Sequence, residues 1–229
     1  MPDTRTPVRP DFRGDFEIHL TVAPQLGRAL AAWAAGRGLK VVDIELARGA
    51  VPRQPMLTLT VSGPLAEAEA LAARTAADAG SAGFPVLRTK IEAAPWTTGV
   101  PATDGQAEAL GPAYYFEHHV KLLLDAPPGP GLAAAAERHD AHLSRNARRT
   151  RPDGQVEFFV TQRCRLVGAD TAGRRLDALL ADLADHRIAS VEREFAVLDT
   201  AESLDAGWIA EARSAEAHPS PDTGERTAR

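Results

Sequence analysis

The sequence contains a single cysteine, Cys164, among 229 residues. One cysteine cannot form an internal disulfide, and this favours a reducing compartment, the cytoplasm. No apolar run reaches the length that a transmembrane helix needs, so no membrane association is predicted. The opening stretch, MPDTRTPVRPDFRGD, lacks the apolar core of a secretory signal. Basic residues are not in excess either, since the net charge is −5, and this argues against nucleic acid as a partner.

Several well-known catalytic and nucleotide-binding motifs are also missing. There is no P-loop, no G-x-G-x-x-G after a strand, no HExxH and no paired CxxC. We therefore predict no organic cofactor. What remains is an ordinary globular composition, with 44% hydrophobic and 25% charged residues, in a chain long enough for one large domain or two small ones.

One short pattern, F-E-x-H, occurs at residues 16–19 and again at residues 116–119. Both copies lie in strand-like runs, DFEIHLTV and YYFEHHVKLLL. A second pair of matching segments, LARG at 46–49 and LSRN at 143–146, follows the first pair at nearly the same distance. Two matches in register indicate that the chain consists of two related halves.

Each half shows the element order β-α-β-β-α-β, which resembles the ferredoxin-like fold. Right-handed crossovers place both helices of a half on one face of its sheet. The predicted fold class is therefore α+β, with two pseudo-symmetric ferredoxin-like (βαββαβ) halves whose antiparallel sheets face each other or join. The predicted domains are a disordered tail at 1–14, the first half at 15–95, a linker at 96–112, the second half with a terminal helix at 113–211, and a disordered tail at 212–229.

Side chains alternate between the two faces of a strand, so each half carries a polar row on the face away from its helices. Such rows are either simply solvated, as the open face of an antiparallel sheet often is, or they line a cavity. Recurring histidines, and acids and bases that alternate within single strands, favour a cavity between the halves. The residues that we predict to line it are Glu17, His19, Thr21, Arg88, Lys90, Glu92, Glu117, His119, Lys121, Thr161, Arg163, Arg165, Glu192 and Glu194.

The residue types in this set predict three roles. Paired cations bind phosphate strongly, carboxylates suit Mg²⁺ or Mn²⁺, and a histidine pKa of about 6.5 suits proton transfer near neutral pH. The predicted substrate-binding residues are Arg88, Lys90, Lys121, Arg163 and Arg165. The predicted metal ligands are Glu17, Glu92 and Glu117, and the predicted catalytic residues are His19 and His119.

The pattern Glu117-x-His119-x-Lys121 resembles the ExExK strand of the CYTH, or triphosphate tunnel, family. That resemblance implies a tunnel built of strands, with carboxylates that hold a divalent metal and with arginines and lysines that hold phosphates. This chain departs from the motif in two ways. His119 stands where the family has glutamate, and the motif is not near the N-terminus.

Two other resemblances lead to different chemistry. The tripeptides at 19–21 (HLT) and 142–144 (HLS) resemble the paired HxT/S motifs of two-histidine phosphoesterases, in which one histidine is the general base and the other the general acid. Ferredoxin-like sheets placed face to face resemble the dimeric α+β barrel proteins, which hold small organic molecules, here with both halves in one chain.

The sequence therefore predicts an enzyme that acts on a small, anionic, phosphate-bearing substrate in a polar cavity between the two halves, for example a phosphohydrolase. Two alternatives stay open: a metal-free small-molecule enzyme of the α+β barrel type, and a ligand-binding protein without catalysis. A duplicated chain can replace a homodimer, so both a monomer and a homodimer are compatible with the sequence.

Overall fold

The computed structural model describes residues 10–148, 151 and 154–208. The first half begins with a strand that leads, through a short 3-10 turn at Pro24–Leu26, into a helix. A proline precedes the second helix, a position where a missing N–H costs no helical hydrogen bond. In chain order the elements are β1 (Arg13–Val22), α1 (Gly27–Ala35), β2 (Lys40–Leu46), β3 (Arg53–Pro64), α2 (Leu65–Ser81) and β4 (Val86–Ala93).

A short helix, α3 (Asp104–Leu110), interrupts the segment that the sequence predicted as a linker without a helix. Gln106 Oε1 accepts the backbone N–H of Thr103, which satisfies one of the donors at the start of this helix. The Asp104 carboxylate accepts the backbone N–H of Gly168 at 2.9 Å. The connection between the halves is therefore held against the second half.

The second half repeats the order of the first. Pro130 occupies the first turn of its first helix, where proline is well tolerated. The elements are β5 (Tyr115–Leu124), α4 (Pro130–Arg138), β6 (Ala141–Asn146), β7 (Val156–Arg165), α5 (Ala169–Asp182) and β8 (Arg187–Asp199).

The eight strands form one closed antiparallel barrel in the order β1-β3-β2-β6-β7-β5-β8-β4. Within each half the strands follow the ferredoxin-like order, with the fourth strand beside the first and the second strand beside the third. The halves join at two seams, where Ile44 pairs with Asn146 and Lys90 pairs with Asp199. The predicted fold class is confirmed, and the two sheets are joined rather than merely facing.

The apolar core lies outside the barrel, between the strands and the helices. Ile18, Leu20 and Ile91 are fully buried in the first half, and Val120 and Leu122 in the second. Burying each such side chain contributes about 1.5–3 kcal/mol. Because these residues alternate with polar ones along the strands, the polar rows of both halves point into the barrel.

Of the two predicted tails, residues 212–229 lie wholly outside the described residues, and only residues 10–14 of the first tail are described. Phe12, within the stretch predicted as a loose tail, is fully buried, and β1 begins at Arg13. At the other end a 3-10 turn at Glu202–Asp205 leads to the buried Trp208, where the description of the chain ends. None of the described helices is long and apolar enough to cross a membrane.

Candidate functional site

The barrel encloses a cavity of about 230 Å³. Its polar wall comes mainly from β1, β4, β5 and β8, the first and fourth strands of the two halves. Five apolar side chains of β2, β3 and β7, hereafter the apolar patch, also line it: Val42, Ile44, Leu46, Met56 and Phe159. Nine of the ten residues with a predicted role line this cavity: Glu17, His19, Arg88, Lys90, Glu92, Glu117, His119, Lys121 and Arg163.

His19 is held at both of its ring nitrogens. Its Nδ1 is hydrogen-bonded to the Thr58 hydroxyl at 3.3 Å, and its Nε2 lies 3.1 Å from Glu92 Oε2. Burial alone would lower the pKa of His19, but the hydrogen bond to Glu92 and the charge of that carboxylate raise it. The imidazole therefore favours its charged form.

His119 is held in the same way in the second half. Its Nδ1 is hydrogen-bonded to the Thr161 hydroxyl at 3.0 Å, and its Nε2 lies 3.2 Å from Glu194 Oε2. Burial opposes the charged form, but the hydrogen bond to Glu194 and the charge of Glu117 raise the pKa of His119 to about 9. Both predicted catalytic histidines thus have both ring nitrogens engaged inside the protein.

Lys90 lies between two buried carboxylates. Its Nζ is 2.6 Å from Glu92 Oε1 and 2.8 Å from Glu117 Oε1. Burial alone would raise the pKa of Glu92, but the Lys90 ammonium lowers it to about 2. The two carboxylates in turn keep the pKa of Lys90 above its usual range against the effect of burial. All three groups are therefore charged, and the two carboxylates share one ammonium.

The two arginines of the cavity are paired as well. Arg163 Nε donates to Glu117 Oε2 at 2.5 Å, and its Nη2 donates to Asp205 Oδ2 at 2.5 Å. Arg88 donates to Asp199 through Nε and Nη2, at 2.8 and 2.5 Å, and to both oxygens of Asp205 at 3.0 Å. Neither aspartate was among the predicted site residues.

Lys121 differs from the other cavity cations. Its Nζ lies 5.3 Å from the centre of the Phe159 ring, and within 10–148, 151 and 154–208 no carboxylate lies within 4.0 Å of it. Lys121 is therefore a cation that a ligand could neutralise.

The remaining residue of the lining with a predicted role, Glu17, lies at the rim of the cavity, with its Oε1 3.7 Å from Lys40 Nζ.

Of the predicted metal ligands, Glu92 and Glu117 lie close together, and His119 rather than Glu17 completes a group whose ligand atoms lie within 4.8 Å of one another. However, the Lys90 ammonium is bound to one oxygen of each of these two carboxylates. The carboxylates already hold a cation, so this arrangement does not fit Mg²⁺ or Mn²⁺ at those oxygens.

Arg165 and His142 lie outside the cavity lining. Arg165 donates to the backbone oxygen of Pro112 and to the carboxylate of Glu202. His142 is buried, and its Nδ1 is hydrogen-bonded to Arg48. Burial and the neighbouring Arg48 lower its pKa to about 4. His142 and His19, the histidines of the two HxT/S tripeptides, are therefore not brought together in one cavity.

Comparison with known proteins gives little further information. No protein-family model and no curated protein matches the chain. The regulatory subunit of aspartate kinase from Thermus thermophilus, in its ligand-free form, is 18% identical over 74% of this chain and 92% of that chain, with a TM-score of 0.30. A putative glycine cleavage system transcriptional repressor is 14% identical over 81% of this chain and 97% of that chain, with a TM-score of 0.25. Likenesses this weak carry no functional argument.

Proposed function

We propose that the protein binds a small organic acid inside the barrel and does not catalyse a reaction on it. The observation that carries this proposal is Lys121, which faces the cavity without a carboxylate partner among the described residues and beside the ring of Phe159. The ligand carboxylate would pair with the Lys121 ammonium, and its hydrocarbon part would cover the apolar patch. Each buried methylene would contribute about 0.8 kcal/mol.

The state of the two histidines supports binding over catalysis. A general acid or base needs a ring nitrogen within hydrogen-bonding reach of the substrate. In both His19 and His119, one nitrogen contacts a threonine hydroxyl and the other a glutamate. The glutamate contacts raise the pKa of both histidines, so each ring favours its charged form, which has no lone pair with which to accept a proton as a general base.

The pairing of the other cations supports a monoanionic ligand. Arg88, Lys90 and Arg163 are each bound to at least two carboxylates. A phosphate group carries up to two charges and is usually held by several cations or hydrogen-bond donors. A single carboxylate matches the single charge of Lys121 better. The cavity of about 230 Å³ is smaller than a typical drug-sized pocket of roughly 300–1,000 Å³, which indicates a small metabolite.

The proposal is tested with a thermal-shift panel followed by calorimetry. The panel contains short-chain carboxylic acids, the matching amines and alcohols, phosphorylated metabolites and polyphosphate, each with and without Mn²⁺. We expect the acids to stabilise the protein, independently of metal. Lys121→Met should weaken binding by about tenfold or more, because a hydrogen bond to a charged group contributes about 1.5–3 kcal/mol.

Lys40→Met is the matched control for Lys121→Met. Lys40 also lines the cavity, but its side chain is 67% exposed and lies beside Glu17. The same change of charge should therefore leave acid binding nearly unchanged. Equal losses in both variants, or stabilisation by amines rather than acids, would overturn the proposal.

An enzyme that acts on a phosphate-bearing substrate is the second candidate. A closed barrel lined by glutamates, lysines and arginines is the architecture that the resemblance to the CYTH family implies. In that case Lys121 would bind phosphate, while Glu92 and Glu117 would keep Lys90 rather than take Mg²⁺ or Mn²⁺. Turnover of polyphosphate or a nucleotide that is lost in Lys121→Met but retained in Lys40→Met would favour this candidate.

A further inference from the structure

One end of the barrel is closed by the segment after the last strand, residues 201–208, hereafter the closing segment. Its Asp205 side chain reaches the cavity and is 5% exposed. One carboxylate oxygen accepts hydrogen bonds from Gln54 at 2.9 Å and from Arg88 at 3.0 Å. The other accepts from Arg88 at 3.0 Å and from Arg163 at 2.5 Å. The chain therefore places its own anion against four buried donor groups.

We infer that Arg88, Arg163 and Gln54 form an anion-binding site, which Asp205 fills in this structure. All three side chains belong to strands of the barrel and are less than one tenth exposed. Arg88 is also bound to Asp199 and Arg163 to Glu117, so both guanidinium groups have partners outside the closing segment. Two guanidinium groups and an amide, aimed at one point, are the donor set that proteins use for oxyanions. The ligand class is a small oxyanion such as phosphate, whose oxygens would replace those of Asp205.

The closing segment can leave this site without the loss of a strand pair, because it follows β8. Besides Asp205, it is attached to the barrel by hydrogen bonds from the Ala50 N–H to the Ala206 oxygen, from Trp208 Nε1 to the Leu143 oxygen, from Arg48 Nε to the Trp208 oxygen and from Gln54 Nε2 to the Leu204 oxygen. Glu202 adds ion pairs with Arg165 and Arg163. The Trp208 ring also lies 6.0 Å from the Arg163 guanidinium. A tethered group acts at an effective concentration on the order of millimolar. Asp205 therefore competes with free anions, and phosphate binds only where it displaces this carboxylate.

The inference goes beyond the proposed binding of an organic acid and does not depend on Lys121. Asp205→Asn keeps the shape of the side chain but removes its charge. We expect inorganic phosphate to bind this variant about tenfold or more tighter than the wild type, measured by calorimetry at constant ionic strength. Asp182→Asn is the matched control, because Asp182 also pairs with an arginine, Arg138, but ends α5 and is not part of the cavity lining. It should show no gain.

Two further variants locate the gained site. Arg88→Met in the Asp205→Asn background should abolish the gain, and Lys121→Met in the same background should retain it. A gain that disappears with Lys121, or a folded Asp205→Asn variant with wild-type phosphate affinity, would overturn the inference. Either result would leave the organic-acid proposal intact.

A measurement on the wild type covers the case in which Asp205→Asn does not fold. If phosphate displaces Asp205, hydrogen exchange at the Ala50 amide, which donates to the closing segment, should speed up in phosphate relative to chloride of equal ionic strength. Unchanged exchange at a phosphate concentration that saturates binding would contradict the displacement.

Discussion

The two halves of the chain have the same fold but line the cavity with different chemistry. Strand register shows what they share. His19 pairs with Thr58 across β1 and β3, and His119 pairs with Thr161 across β5 and β7. Each histidine also contacts a glutamate of the fourth strand of its own half, Glu92 or Glu194. The histidine, threonine and glutamate set is therefore a repeated unit.

The cations are not repeated. Opposite His19 on the fourth strand stands Lys90, whereas Glu192 stands opposite His119. Opposite Glu17 on the third strand stands Thr60, whereas Arg163 stands opposite Glu117.

Both extra cations converge on the glutamate of the second half. Lys90 of the first half and Arg163 of the second half both bind Glu117, so this glutamate is buried and doubly paired. Its counterpart Glu17 stays at the rim, where its side chain is 29% exposed. The duplication therefore supplies the strands of the barrel. The few charged residues that occur in only one half determine which positions are filled by ion pairs and which stay open to a ligand.

The largest expected difference between the halves concerns these two glutamates. Glu117→Gln leaves Lys90 and Arg163 without a shared counter-ion in a buried site, so we expect a loss of about 3–5 kcal/mol in the free energy of unfolding. Glu17→Gln removes only an exposed contact at 3.7 Å and should cost less than about 1 kcal/mol. Urea unfolding followed by circular dichroism measures both; similar losses would refute the assigned difference.

The segments that follow the last strand of each half should differ as well. Trp208, after β8, is 5% exposed, whereas Trp96, after β4, is 73% exposed. Trp208→Ala should destabilise the protein by about 3 kcal/mol, because a large buried side chain is lost. Trp96→Ala should stay within about 0.5 kcal/mol of the wild type. The melting temperatures of the two variants test this directly. A larger decrease for Trp96→Ala than for Trp208→Ala would contradict the assignment of residues 201–208 as the segment that closes the barrel.

The smallest expected difference between the halves concerns the pH dependence of stability, because the histidines of both halves should respond in the same direction. The folded pKa of His119 is about 9, above the unfolded value of about 6.5. Its contribution is therefore fully present below pH 6.5 and is lost as the pH rises through 9. The cost of His119→Gln should fall by about 3 kcal/mol over that range. His19→Gln should follow the same direction, because the pKa of His19 is also raised.

His118 provides the control for this titration. It neighbours His119 in sequence but points to the other face of the strand, and burial lowers its pKa. Its contribution is present above the unfolded pKa and is lost as the pH falls. Unfolding curves at a series of pH values should therefore show no decrease in the cost of His118→Gln toward alkaline pH. A decrease like that of His119→Gln would mean that the difference between these faces is not electrostatic.

The repeated F-E-x-H pattern and the element order were enough to predict the ferredoxin-like halves, and strand alternation predicted most of the polar wall. Strand alternation could not predict Asp199 and Asp205. Asp199 is the last residue of β8, and Asp205 lies beyond that strand, where side chains no longer alternate between two faces. The apolar patch was missed for another reason. Apolar residues occupy both faces of β2, in KVVDIEL, so periodicity does not distinguish a core position from a cavity position such as Val42. Ion pairs between charged side chains depend on how the two halves join into one barrel, and the pattern within a single strand does not reveal which residues will pair.

A crystal structure grown with the tightest-binding carboxylic acid of the thermal-shift panel tests the central claim most directly. We predict that the ligand lies inside the barrel, with a carboxylate oxygen about 3 Å from Lys121 Nζ and its hydrocarbon part against Phe159. A ligand bound outside the barrel, or one whose carboxylate contacts Arg88 while Lys121 stays uncontacted, would contradict the proposed function.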